Sequence, residues 1–191
     1  MKLLEDKIRK DGKVLPGNIL RVGSFMNHMI DTTLLDEMGK EFYEQYKDAG
    51  ITKILTVEAS GIAIAYATAR YFGCPLLFAK KNQTVNISSD VYSSPVDSFT
   101  HKKTYNIMVT KDYLLPTDTV LVVDDFLAVG NALEGLFSIV DQAGAKLAGA
   151  GIAIEKGYQG GGDKLREKGY RIESLAIIES MDDKNGIVFR S

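Results

Sequence analysis

Apolar residues recur along this chain in two rhythms. Leu34, Leu35, Met38, Phe42 and Tyr46 follow one another at spacings of one, three, four and four. That period sets them on one face of a helix. Gly50 closes the run, as a residue free to take left-handed backbone commonly does. The next segment, KILTV, is a short and nearly continuous apolar run, the pattern of a buried strand. The two rhythms then alternate. A helix is predicted over 60–73 (SGIAIAYATARYFG) and a strand over 75–81 (PLLFAKK). A strand over 119–125 (TVLVVDD) precedes a helix over 130–144 and a strand over 146–156 (KLAGAGIAIEK). A short helix over 161–169 and a strand over 170–180 complete the series. Near the start, Leu3, Leu4 and Ile8 make a short amphipathic segment, which breaks at DGKVLPGN.

Strands alternating with helices of these lengths predict an α/β protein: a mostly parallel central sheet with helices on both faces. No internal repeat or linker divides the chain, so residues 1–191 are expected to form a single domain. One region escapes the alternation. Residues 82–104 carry Ser88, Ser89, Ser93, Ser94, Pro95 and Ser98 among other polar positions. A polar insert of that length is either a mobile lid over a site or a hairpin with a long loop. Both readings hold together if QTVNIS and YNIMVTK, which alternate like strands, carry a flexible flap between them.

Composition narrows the class. A chain of 191 residues can bury about 70% of its unfolded surface. Hydrophobic content of 45% and charged content of 25% are ordinary for a globular protein. A formal net charge of −2 and a pI near 5.7 argue against a nucleic-acid partner. Cys74 is the only cysteine, which excludes an internal disulfide and a cysteine metal cluster. Its apolar setting, YFGCPLLF, reads as a buried, inert thiol. MKLLEDKIRKDGK mixes acids with bases and lacks the apolar region of a signal peptide. No run approaches the roughly 20 apolar residues of a membrane span. A soluble cytoplasmic protein with no membrane partner is the expectation.

The candidate chemistry lies where strands end, because ligands of open parallel sheets bind beyond the carboxyl ends of the strands. In VVDDFLAVGNA, two acids precede a small-residue turn into a helix. The unsatisfied amides and positive dipole end of such a helix attract phosphate. The small residues Ala128, Gly130 and Ala132 let backbone approach it closely. Carboxylates accept hydrogen bonds from sugar hydroxyls. Adjacent strand residues face opposite ways, so Asp124 and Asp125 can serve one ligand only if the strand ends between them. The competing reading makes one acid a helix cap and the other a surface charge. Ala59, Ser60 and Gly61 form a second turn able to hold an anion, although many strand-to-helix turns look the same. Lys80 and Lys81 suit a diphosphate, or else are a solvated strand end. Lys156 follows an apolar strand, with Glu155 beside it as the partner of a surface salt bridge in the plainer reading. Together these features describe a ligand with two phosphate groups on a sugar.

VLVVDDFLAVGNA resembles the phosphoribosyl diphosphate signature of the type I phosphoribosyltransferases. GITKILTVEASGIA, FAKK, SFTHKK, VDDFLAVGNALEGLFSIVDQAGA, GIAIEKGYQ and ILRVGSFMNHMID are similar to successive segments of the bacterial xanthine phosphoribosyltransferases, over nearly the whole chain. The resemblance implies the type I phosphoribosyltransferase fold, with a small hood over the base site and a flexible flap. It implies transfer of phosphoribosyl from its diphosphate to xanthine in purine salvage, by a homodimer, with Mg2+ carried in on the donor. By the same resemblance Asp124 and Asp125 hold the ribose hydroxyls. Ala128, Val129, Gly130, Asn131 and Ala132 cradle the 5-phosphate. Ala59, Ser60 and Gly61 meet the diphosphate with Lys80 or Lys81, and Leu20, Asn27 and Lys156 line the xanthine pocket. Two positions depart from the family pattern. Val129 stands where a threonine is usual, leaving that loop to its amides and Asn131, and Asp97 stands where the flap has a tyrosine. Two other readings share the scaffold: an enzyme for adenine, hypoxanthine or guanine, and a non-catalytic phosphoribosyl-diphosphate sensor of the purine-repressor type. No helix-turn-helix extension or basic stripe for the sensor's DNA is visible.

Overall fold

A computed structural model describes residues 1–81, 90–98, 103–182 and 184–190. Its centre is a six-stranded sheet built from β3 (Lys53–Val57), β4 (Leu76–Ala79), β7 (Thr119–Leu127), β8 (Lys146–Lys156), β9 (Ile172–Asp182) and β10 (Gly186–Phe189). In space the order is β10-β9-β8-β7-β3-β4. All neighbours are parallel except β10, which pairs antiparallel with β9. The expected mostly parallel sheet is therefore present, with one antiparallel edge that the hydrophobic pattern did not predict.

The layers follow from strand alternation. On one face of β7, Leu121 and Val123 join a core with α1 (Lys2–Asp11), α2 (Thr32–Tyr46) and α3 (Gly61–Phe72). On the other, Val120 and Val122 join a core with α4 (Asn131–Gln142) and α5 (Gly161–Glu167). The α2 stripe read from the sequence is buried in full, and Asp31 caps the helix by accepting from the Leu34 amide at 3.1 Å. Gly50, which follows, is left-handed as expected, with φ of 68°. Tyr46 ends the stripe and donates its hydroxyl to the Ala150 carbonyl at 3.0 Å.

Two hairpins complete the chain. The break after the first helix is β1 (Lys13–Leu15) paired with β2 (Ile19–Arg21), and a single π-helical turn spans Gly23–Asn27. In the polar insert, YNIMVTK falls within β6 (Lys103–Thr110) except for its last residue, Lys111, and the partner of β6 is β5 (Val91–Ser98). The alternation expected in QTVNIS lies outside the described residues. The described hairpin rests on α4. Gln142 donates to the Ser93 carbonyl at 2.9 Å and accepts from the Ser93 amide at 3.3 Å, while Val96 and Ile107 enter the α4-side core.

The end of β8 holds a fully buried charge. Glu155 is 0% exposed, and the Arg166 guanidinium of α5 donates to both its oxygens, at 3.0 and 2.7 Å. Ser174 donates to the second oxygen at 2.5 Å. This overturns the reading of Glu155 as a surface partner of Lys156; its counter-ion comes from α5. Stripping one member from a buried pair leaves the other uncompensated. Arg166→Met is therefore expected to cost about 3–5 kcal/mol in urea titration, and pairing it with Glu155→Met to restore most of that loss.

Candidate active site

The acid pair lies at the carboxyl end of β7. The strand does not stop between the two residues, as their joint use of one ligand was expected to require; it runs on to Leu127. The carboxylates find different neighbours instead. Asp125 accepts from the Asn27 side-chain amide at 3.3 Å. Asp124 accepts from the Asp125 backbone amide at 2.9 Å. Each is only 6% exposed. Burial, and then the adjacent Asp125 charge, hold the Asp124 carboxyl well above the usual carboxylate range, with Lys81 pulling the other way. Two acids so placed favour an arriving cation or hydrogen-bond donors.

Two loops flank them. Ala59 and Ser60 are exposed, whereas Gly61 is buried at the first turn of α3. A methyl group on Gly61 would fall 2.3 Å from the Thr56 hydroxyl and 2.7 Å from an Asp124 oxygen, so only glycine allows this approach. The Lys81 amide donates to Glu58 at 2.7 Å, fastening the end of β4 to the same loop. The Lys81 ammonium stands 5.4 Å from the centre of the Tyr105 ring, on the hairpin. On the other flank, Gly130 takes φ of +98° and opens α4. Ala128 and Val129 beside it are half-buried. The Gly161 amide supports this loop from behind by donating to the Ala128 carbonyl at 3.2 Å.

A third group lies on the Asn27 side. Lys156, half-buried, directs its ammonium toward the Asn18 carbonyl at 3.4 Å and stands 5.9 Å from the centre of the Phe126 ring. Burial lowers its pKa. Leu20 is 8% exposed and belongs to the core beneath.

The family profile described as "Phosphoribosyl transferase domain" matches residues 27–185. The chain belongs to the phosphoribosyltransferase family. It is similar to a xanthine phosphoribosyltransferase of Lachnoclostridium phytofermentans, at 53% identity over 100% of this chain and 98% of the relative. A xanthine phosphoribosyltransferase of Ruminiclostridium cellulolyticum is 56% identical over 96% of each chain. Among solved structures, the adenine phosphoribosyltransferase of Giardia lamblia in complex with 9-deazaadenine superposes with a TM-score of 0.75 at 26% identity. That match covers 93% of this chain and 98% of the other.

Within this phosphoribosyltransferase, several expected residues meet. Asp124, Asp125, Gly61, Asn27 and Lys81 surround the end of β7. The two lysines at the end of β4 part company. Lys81 acts on Asp124, whereas Lys80 bridges to Met108 through its backbone and lines a separate pocket of about 720 Å³ with Leu76, Phe78 and Tyr113. Asn131 points its side chain to the Asp97 carbonyl of the hairpin, at 3.0 Å. In this state the substitute expected for the missing threonine is already engaged, and the loop offers its backbone. Cys74 is half-buried, and burial raises its thiol pKa.

Phe126, Tyr105 and Thr56 were not anticipated. Phe126 follows the acid pair directly, and its position is the one signal that could have singled it out. Tyr105 and Thr56 come from distant segments and carry no local signature.

The raised Asp124 pKa has a defined sign for stability. Its contribution is fully present below the unfolded carboxylate value and is lost as pH rises through the higher folded value. Asp124→Asn is expected to raise the melting temperature of the ligand-free protein at neutral pH by about 2–4 °C per kcal/mol relieved. In a thermal-melt series the gain should shrink as pH falls toward the ordinary carboxylate range.

Proposed function

We propose that the protein is a xanthine phosphoribosyltransferase, converting xanthine and 5-phosphoribosyl 1-diphosphate to xanthosine 5'-monophosphate and diphosphate in purine salvage. One observation carries the reading: the bond from Asn27 to Asp125 draws the N-terminal hood onto the acid pair. A sugar-binding end and a base-binding end thereby share one carboxylate. The two xanthine phosphoribosyltransferases named above, matched over 98% and 96% of their lengths, support it.

In this reading the ribose hydroxyls lie on Asp124 and Asp125, and the 5-phosphate lies on the amides of Ala128 to Ala132. The amides of Ala59, Ser60 and Gly61 receive the diphosphate with Lys81. The base stacks near Phe126, between Asn27 and Lys156. Base nitrogen attacks the anomeric carbon as the bond to diphosphate oxygen breaks, and positive charge develops on the ribose ring. The buried carboxylates stabilise that charge, because the site needs no reorganisation to oppose it. Lys81 neutralises the departing diphosphate. Lys156 and Asn27 present hydrogen-bond donors, which suit the carbonyl oxygens of xanthine and oppose the amino group of adenine.

Mg2+ fits this set in a limited way. Among the described residues, no three His, Cys, Asp or Glu side chains converge. Asp124 and Asp125 would hold the ion together with donor oxygens and water, and it would supply charge neutralisation at the diphosphate. A cytoplasmic homodimer completes the proposal.

Incubation with phosphoribosyl diphosphate, Mg2+ and each purine base in turn tests the assignment. Xanthine should give the highest kcat/KM; no nucleotide from any base would favour a sensor. Lys156→Ala should lower kcat/KM for xanthine about 10–100-fold, the value of a charged hydrogen bond, and leave the donor KM nearly unchanged. Equal losses for both substrates would refute the base-pocket role. Asp125→Asn should slow turnover in a protein that still folds, as judged by circular dichroism.

A further inference from the structure

Thr56 lies on β3, on the strand beside the acid pair, and is 0% exposed. Its hydroxyl oxygen is buried and has no hydrogen-bond partner among the described residues. Such a group is costly inside a protein, because it has given up water without replacing it. A valine would fill the same volume on a buried parallel strand without that cost. The hydroxyl also has a direction. The Thr56 oxygen and an Asp124 oxygen converge on the α-carbon of Gly61, where a methyl would touch both. The unspent donor therefore lies beside Asp124 Oδ1, the same oxygen that accepts from the Asp125 amide.

We propose that Thr56 is a positioning residue of the transferase site: its hydroxyl donates to the Asp124 carboxylate when the phosphoribosyl donor is bound, fixing that carboxylate against the ribose. In the free protein the bond is unmade. Donor binding draws Asp124 toward the sugar, and the Thr56 hydroxyl supplies the hydrogen bond that holds it there. Thr56 touches neither substrate. The inference rests on the functional reading above and adds to it a residue that acts through Asp124.

Thr56→Val, Thr56→Ser and Thr56→Ala test it, each measured for ligand-free melting temperature, kcat, and KM for donor and xanthine. Valine should raise the melting temperature, since it removes an unpaired buried hydroxyl, and yet lower kcat about tenfold with the xanthine KM unchanged. Serine should retain kcat within about twofold, because it keeps the donor. A merely structural threonine would move stability and turnover in the same direction. Alanine carries the same kcat comparison if valine prevents folding. Unchanged kcat in a folded valine or alanine variant, beside an active wild type, overturns the role of Thr56 and leaves the enzyme assignment standing. A wild type inactive with every purine base overturns both.

Discussion

Two carboxylates on consecutive positions of a buried strand make each other harder to ionise. That conflict organises the end of β7. Asn27 is brought from the N-terminal hood to one acid, and the next backbone amide turns to the other. Lys81 supplies a neighbouring cation, and α3 begins with a glycine because no larger residue fits against Asp124. The sheet places the acids beside the turns where α3 and α4 begin, and helix N-termini leave backbone amides without partners. A fold that leaves its central charges underpaired is pre-organised for a polyanion carrying hydroxyls and a cation.

The rest of the frame is built to keep that region from relaxing. Arg166 ties α5 to the buried Glu155, and the first residue of α5 braces the loop before α4. Glu155 precedes Lys156 on the same strand, so Lys156 and the loop before α4 share a support. Packed charge of this kind contributes little net stability and much definition of geometry.

Much of this was legible along the chain. The helix stripe of α2, the buried run of β3 and the strand–turn–helix around Asp124 each declare themselves through local periodicity. What escaped was short or distant. β1 and β2 span three residues each around Pro16 and Gly17, too few for an alternation to register. β10 spans four and pairs against the grain of the sheet. The Glu155–Arg166 pair joins residues whose facing depends on how α5 sits over β8. The parting of Lys80 and Lys81 depends on the bridge between β4 and the hairpin, which no spacing encodes. The meeting of Asn27 with Asp125 crosses 98 positions, and the resemblance, which set one at the base and the other at the ribose, did not join them.

The N-terminal residue introduces a matter of timing. The Met1 ammonium donates to the Leu175 carbonyl of β9, and Leu4 and Ile8 pack in the same core as Leu175 and Ala176. Helix α1 thus finds part of its native surface on β9, at the far end of the described sequence. Contacts of such sequence separation form late and slowly, so the part of α1 that faces β9 is covered late in folding. The hood that carries Leu20 and Asn27 follows α1 directly in the chain. Its foundation is therefore complete only when β9 has joined the sheet.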